Sequence, residues 1–127
     1  MRAKVAKPVP HAFVLEALFE AKPRTNPMFG CLAVYVRAKI VLILRDKANS
    51  EDNGVWLATT ADHHESLRAD FPNMRSIKAL GGGEKATGWQ NLSAEASDFE
   101  ESVMRACEFI LAGDPRIGKI PAQKRRK

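Results

Sequence analysis

Residues 32–36 and 40–44 are two dense aliphatic runs separated only by Arg37, Ala38 and Lys39. A parallel pair of strands needs a crossover of a dozen residues or more, so this spacing leaves only an antiparallel hairpin. The glycine or asparagine that usually eases such a turn is missing from it. A polar, turn-rich stretch over 46–54 follows, and then a third strand over 55–60. In that strand Val55, Leu57 and Thr59 face opposite to Trp56, Ala58 and Thr60, because side chains alternate along a strand.

Helices are expected on either side of these strands. Phe13, Val14, Ala17, Leu18 and Ala21 mark one face of a helix over 11–21, which Pro23 stops, leaving a loop over 22–27. Asp62 with Glu65 resembles a capping box and predicts a short helix to about Phe71, where Pro72 ends it. Less densely apolar strands follow over 74–80 and 87–92, with Gly81, Gly82 and Gly83 between them. Ser97 with Glu100 is a second capping box. It opens the clearest helix, whose stripe is Phe99, Val103, Ala106, Cys107, Ile110 and Leu111, with Gly113 as its C-cap. The order is α-β-β-β-α-β-β-α. It predicts an α+β fold: an antiparallel five-stranded sheet with helices on one face.

The chain of 127 residues fits one domain, read as 10–121, with a basic leader over 1–9 and a basic tail over 122–127. The net charge of +5 is unevenly placed. Residues 1–9 hold three basic groups and residues 116–127 hold six, and neither stretch has an acid. That leaves 11 basic groups against 15 acids over 10–115, so the folded body is acidic and the basicity lives at the ends. A basic end says less about a binding surface than a basic face does. No run approaches the ~20 apolar residues that span a bilayer. The leader lacks the apolar core of a signal peptide, and a cytoplasmic location is expected. Cys31 and Cys107 suit neither a disulfide framework nor a zinc knuckle and are read as buried thiols.

Short motifs carry a family resemblance. Met28-Phe29-Gly30, entering the hairpin after a first helix, resembles the entry of the TfoX N-terminal-like domains. Asp70-Phe71-Pro72, then Gly88-Trp89-Gln90-Asn91-Leu92, then a closing helix resemble the MmcQ/YjbR-like proteins. The resemblance covers roughly residues 10–121 and implies the secretion-chaperone-like fold. It also implies DNA binding, which is described for the MmcQ/YjbR-like group through a double-wing motif, and it supplies no catalytic residues. Cys31 stands where the TfoX-like pattern has a second glycine, and Ala38 where it has a turn glycine. Both departures set the chain apart from the competence regulators.

Several stretches invite a chemical reading. Residues 81–88 expose backbone N–H groups beside Lys85 and Thr87, but a P-loop places its Lys-Ser/Thr pair directly after the last glycine and opens a helix. A hairpin connection is the simpler account. His63, His64 and Glu65 are adjacent residues that point about 100° apart on a helix, so they do not converge on one cation. Trp56, Trp89, Tyr35 and Phe29 are candidates for a stacking surface, with Trp89 in its polar strand the one expected to be exposed. No catalytic, metal or cofactor site is assigned.

The residues expected to meet nucleic acid or a partner are Trp89, Lys85, Arg116, Lys119, Lys124, Arg125, Arg126 and Lys127. The expected function is a non-enzymatic binding module, DNA-binding or regulatory, whose attraction to phosphate is salt-sensitive. The alternatives are a protein-interaction domain, chaperone-like or homodimeric, and a small enzyme built around Cys31, His63 and His64.

Overall fold

The structure is a computed structural model and describes residues 9–28, 30–78 and 88–120. It is an α+β fold with one antiparallel sheet. The elements are α1 (Phe13–Ala17), β1 (Arg24–Met28), β2 (Cys31–Val36), β3 (Lys39–Arg45), β4 (Gly54–Leu57), α2 (His64–Asp70), β5 (Arg75–Ser76), β6 (Gln90–Ser93) and α3 (Phe99–Leu111). Short 3-10 turns, Phe19–Ala21 and Ala61–His63, follow α1 and precede α2. The sheet order is β1-β2-β3-β4-β6-β5, and every neighbouring pair is antiparallel.

Among the described residues the sheet has six strands where five were expected. Part of the stretch read as a loop over 22–27 pairs with β2 as β1, from Arg24 opposite Tyr35 to Met28 opposite Cys31. Its sequence, Arg-Thr-Asn-Pro-Met, has no apolar alternation because the strand lies at the sheet's edge with most of its residues exposed. Proline is tolerated at an edge for the same reason. Four strands therefore precede α2. The expected strand over 74–80 is only two residues long where described, and the strand expected over 87–92 runs instead over Gln90–Ser93. The first helix is broken: α1 lasts five residues, and Lys22 at φ 54° turns the chain into β1.

Leu42 and Leu57, and Leu32, Leu44, Val55 and Leu92, are cross-strand partners that line one face. Against it pack Val14 and Leu18 of the first helical segment, Leu67 and Phe71 at α2, and the α3 stripe Val103, Ala106, Cys107 and Ile110. Burial, with a smaller effect of Glu108, pushes the Cys107 thiol up to about 12, so it is an inert core residue. The register of β2 and β3 slips at Val34 and Tyr35, which face Leu42 and Ile40 with Val41 between them. This bulge sends Val41 and Leu42 both into the helix-covered core while Ile40 and Ile43 stay on the other side.

Both capping boxes take a different form. The Asp62 carboxylate accepts from the Thr60 hydroxyl, and no side chain caps α2. At α3 the N-cap is Asp98, whose carboxylate accepts from Asn73 Nδ2 at 2.9 Å and Ser102 Oγ at 3.1 Å. The C-cap of α3 is Ala112, and the expected Gly113 stands one position beyond it. Gly113 has φ 79° and donates to the Ile110 carbonyl, and Asp114 donates to that of Phe109 at 2.9 Å.

Gly54 fixes the closeness of β4 and β6. A Cβ there would lie 2.2 Å from the Leu92 carbonyl oxygen and 2.7 Å from Asn91 Oδ1, and its φ of 144° already excludes most side chains. Gly54→Ala is expected to cost at least about 3 kcal/mol in urea unfolding, since the sheet backbone cannot step aside. Arg37→Gly, which relieves the φ of 58° in the hairpin turn, should gain about 0.5 kcal/mol in the same measurement.

Candidate nucleic-acid interface

The candidate site is built on the second face of the sheet. Ala33, Ile43, Trp56 and Asn91 are consecutive cross-strand partners on it, and Cys31, Tyr35, Ile40, Ala58 and Trp89 belong to the same cluster. No helix residue joins this cluster among the described residues. Its aromatic rings each hold a cation. The Arg24 guanidinium lies 5.5 Å from the Tyr35 ring centre, Arg45 lies 5.9 Å from that of Trp56, and Lys119 Nζ lies 5.5 Å from that of Trp89. Trp56 and Trp89 meet edge to face at 6.1 Å.

The backbone sets each cation in place. Arg24 stands opposite Tyr35 in the β1–β2 register. Arg45 ends β3 two residues after Ile43, on the same face by alternation, and donates to Cys31 Sγ at 3.1 Å and Ser50 Oγ at 2.9 Å. Lys119 is bridged to Ile40 by two backbone hydrogen bonds, at 2.9 and 3.0 Å, while Gly118 donates to the Ala58 carbonyl. The segment after α3 is thereby tied to the sheet where β3 begins.

Among the described residues, Arg24, Arg45 and Lys119 have no carboxylate partner, whereas the other paired cations do. Arg75 meets the buried carboxylate of Asp52 at 3.1 Å, and the Lys78 backbone N–H donates to the same group. Trp56 Nε1 donates to the Asp52 carbonyl at 2.9 Å. A cation over a ring is held by about 0.5–1 kcal/mol at an exposed site, and its charge stays uncancelled. Charge also separates between the layers. Residues 24–47 hold Arg24, Arg37, Lys39, Arg45 and Lys47 against Asp46 alone. Residues 95–116 hold Glu95, Asp98, Glu100, Glu101, Glu108 and Asp114 against Arg105 and Arg116. The acidic body of the sequence reading is an acidic helical side joined to a basic sheet.

The sequence-derived residues are placed very differently. Trp89 is half-buried, and Lys119 lies over it. Trp56 is 3% exposed and closed to stacking, while Tyr35 is half-buried. Lys85, Lys124, Arg125, Arg126 and Lys127 lie outside the described residues, as do Phe29 and the glycine run. Arg116 is absorbed by the fold. It bonds both Asp114 oxygens, reaches Asp70 at 3.1 Å and Ser66 at 3.0 Å, and stacks on Phe109. Cys31 sits at the Arg45 end of the sheet, whereas His64 contacts the Gly88 carbonyl beyond the far end of β4. No metal-binding group of three or more His, Cys, Asp or Glu residues forms among the described residues.

Arg24 and Arg45 were missed. Period-two alternation from Ile43 would have placed Arg45 on this face, but Arg24 lies in a strand the sequence does not announce.

Among the described residues no helix is long and apolar enough to cross a membrane. No family model, curated protein or solved structure matches the chain.

Arg116 holds the Asp114 carboxyl below the ordinary carboxylate value, first through their side-chain hydrogen bond. A depressed folded value gives stability that is present above the unfolded value and lost as pH falls through the folded one. Arg116→Met should cost about 1.5–3 kcal/mol at neutral pH, and the gap to wild type should narrow as pH falls below about 4 in urea titrations, leaving the part owed to Ser66 and Phe109.

Proposed function

We propose that this chain is a non-enzymatic binding module whose ligand is nucleic acid, held through its phosphates by the cations that overlie the second face of the sheet. The observation that carries this reading is the set of cations Arg24, Arg45 and Lys119, each resting on an aromatic ring with no carboxylate partner among the described residues. A carboxylate beside each would have satisfied it within the fold; a ring holds the cation in place and leaves the charge for a ligand. Contacts of this kind read the backbone of a nucleic acid and not its sequence, so binding is non-specific and salt-sensitive. The resemblance to the MmcQ/YjbR-like group supports the same ligand class.

A protein contact is the second reading. Phe19 is 77% exposed beside Leu15 and Pro23, at a concavity of about 570 Å³ next to the edge strand β1. If this patch seats a second copy, Phe19→Ser should shift a dimer to monomer in sedimentation.

Fluorescence anisotropy of a labelled single-stranded oligonucleotide tests the first reading. Lys119→Gln and Arg24→Gln should each weaken binding several-fold and lower the slope of log K against log salt by about 0.7. Arg68→Gln, an exposed cation on α2, should leave both unchanged. Equal effects from all three would reduce the attraction to net charge and sink the reading.

A further inference from the structure

Phe19 is the most exposed large apolar side chain among the described residues. It lies off the stripe that the first helical segment sends inward, where Val14 and Leu18 are fully buried. The core therefore does not require a ring at this position. The turn after α1 nevertheless fixes it firmly: the Ala21 N–H donates to the Leu18 carbonyl at 2.8 Å, and the Lys22 N–H to that of Phe19 at 3.0 Å. Leu15, Pro23 and Thr25 line the hollow beside the ring. Thr25 stands opposite Val34 of the helix-side core, so the hollow lies away from the cations of the ring side.

The adjoining sheet edge is closed to one class of partner. Met28 opposes Cys31 with two residues between them, which makes them a hydrogen-bonded hairpin pair. Along β1 the alternation then turns Met28, Asn26 and Arg24 towards β2, and Thr25 and Pro27 towards the free edge. Pro27 has no N–H to offer there, and neither has Pro23 just before the strand. An added strand would find the Thr25 N–H as its one donor on this stretch, and proline at an edge guards against such pairing. Whatever docks here does so through side chains.

We infer that this patch is a two-fold contact between two copies of the chain, in which each Phe19 ring enters the other copy's hollow and Glu20 of each copy pairs with Lys22 of the other. It rests on the protein-contact reading of the patch and adds the symmetry and the pairing. The patch holds both halves of a contact. A protruding ring stands beside an apolar hollow, and an acid stands two residues from a base. Glu20 and Lys22 are both exposed, and neither has an ion-pair partner among the described residues. A two-fold axis sets every such half against its complement, whereas a partner of another kind needs only one of them. Lys22 also holds its charge at φ 54°, a conformation that glycine adopts more readily than lysine.

The test is sedimentation velocity of the full-length chain from micromolar to millimolar concentration. Wild type should pass from monomer to dimer, and Phe19→Ser should remain monomeric. Glu20→Lys and Lys22→Glu should each weaken the dimer about tenfold, because each puts two like-charge pairs across the axis. An equimolar mixture of these two variants should dimerise nearly as well as wild type, since every Lys then meets a Glu. Their net charges are +7 and +3, the wild-type +5 shifted by two in either direction, so overall attraction between unlike chains cannot account for the rescue. All three substitutions are at exposed positions, and circular dichroism should show an unchanged fold.

If Phe19→Ser dissociates the dimer but the mixture shows no rescue, the patch still seats a second copy and the two-fold pairing falls. If wild type stays monomeric at millimolar concentration, or forms a dimer that Phe19→Ser leaves intact, the pairing and the second-copy reading fall together.

Discussion

β3 is paired along both edges and buried on both faces, and it joins the two apolar layers of the fold. The run Ile-Val-Leu-Ile-Leu over 40–44 is almost continuously apolar because neither face meets water: Ile40, Val41, Leu42, Ile43 and Leu44 are each at most 7% exposed. Fully buried strands show such runs, whereas half-buried ones alternate. A continuous run carries no register of its own, since either face satisfies it. The bulge between Val34 and Tyr35 resolves this by committing Val41 and Leu42 to the helix side and Ile40 and Ile43 to the ring side. Burial of each large aliphatic side chain contributes about 1.5–3 kcal/mol, so this one strand stabilises both apolar clusters at once.

The charge separation between layers follows from the same arrangement. Glu100 and Glu101 lie in the first turn of α3, where the helix dipole favours acids, so part of the helical acidity has a local cause. The sheet has no comparable dipole to neutralise its cations. Arg24 and Arg45 are held instead by ring faces and by neutral acceptors, the Arg37 carbonyl for one and Ser50 with Cys31 for the other. These partners fix the guanidinium and leave its charge in place. A sum over residues 10–115 hides this difference, because charge in a sequence has no direction.

What the sequence made legible was whatever leaves a local mark. The hairpin shows in its two runs, β4 in its alternation, and α3 in its stripe and the glycine that ends it. β1 leaves none: its five residues include Asn26 and Pro27, and it is a strand only because β2 offers it a free edge. β5 is two residues long and depends on β6 in the same way. The candidate site was half legible. Trp89 and Lys119 both stood out, one for its polar strand and the other for its basic surroundings, but their contact spans 30 residues and needs the bridge to Ile40. Tyr35 was recognised as an aromatic candidate without Arg24, its partner across an unannounced strand.

Arg116 and Lys119 are three residues apart in one basic stretch, and their different fates show why composition could not separate them. Asp114 and Arg116 clasp one another, and Arg116 joins them to α2 through Asp70 and Ser66. Ile117 is then buried in the helix-side core at 2% exposure. One residue later the backbone bonds Ala58, and Lys119 comes to lie over Trp89 on the opposite side of the sheet. The segment thus passes around the sheet's end, from the acidic layer to the basic face. The cation on the first side is spent holding it there, and the one on the second is free of carboxylates among the described residues. The position of Lys119 depends on Arg116 and Ile117 as firmly as on its own bridge. Arg116, held by its carboxylates on the helix side, therefore helps to set Lys119 over the Trp89 ring.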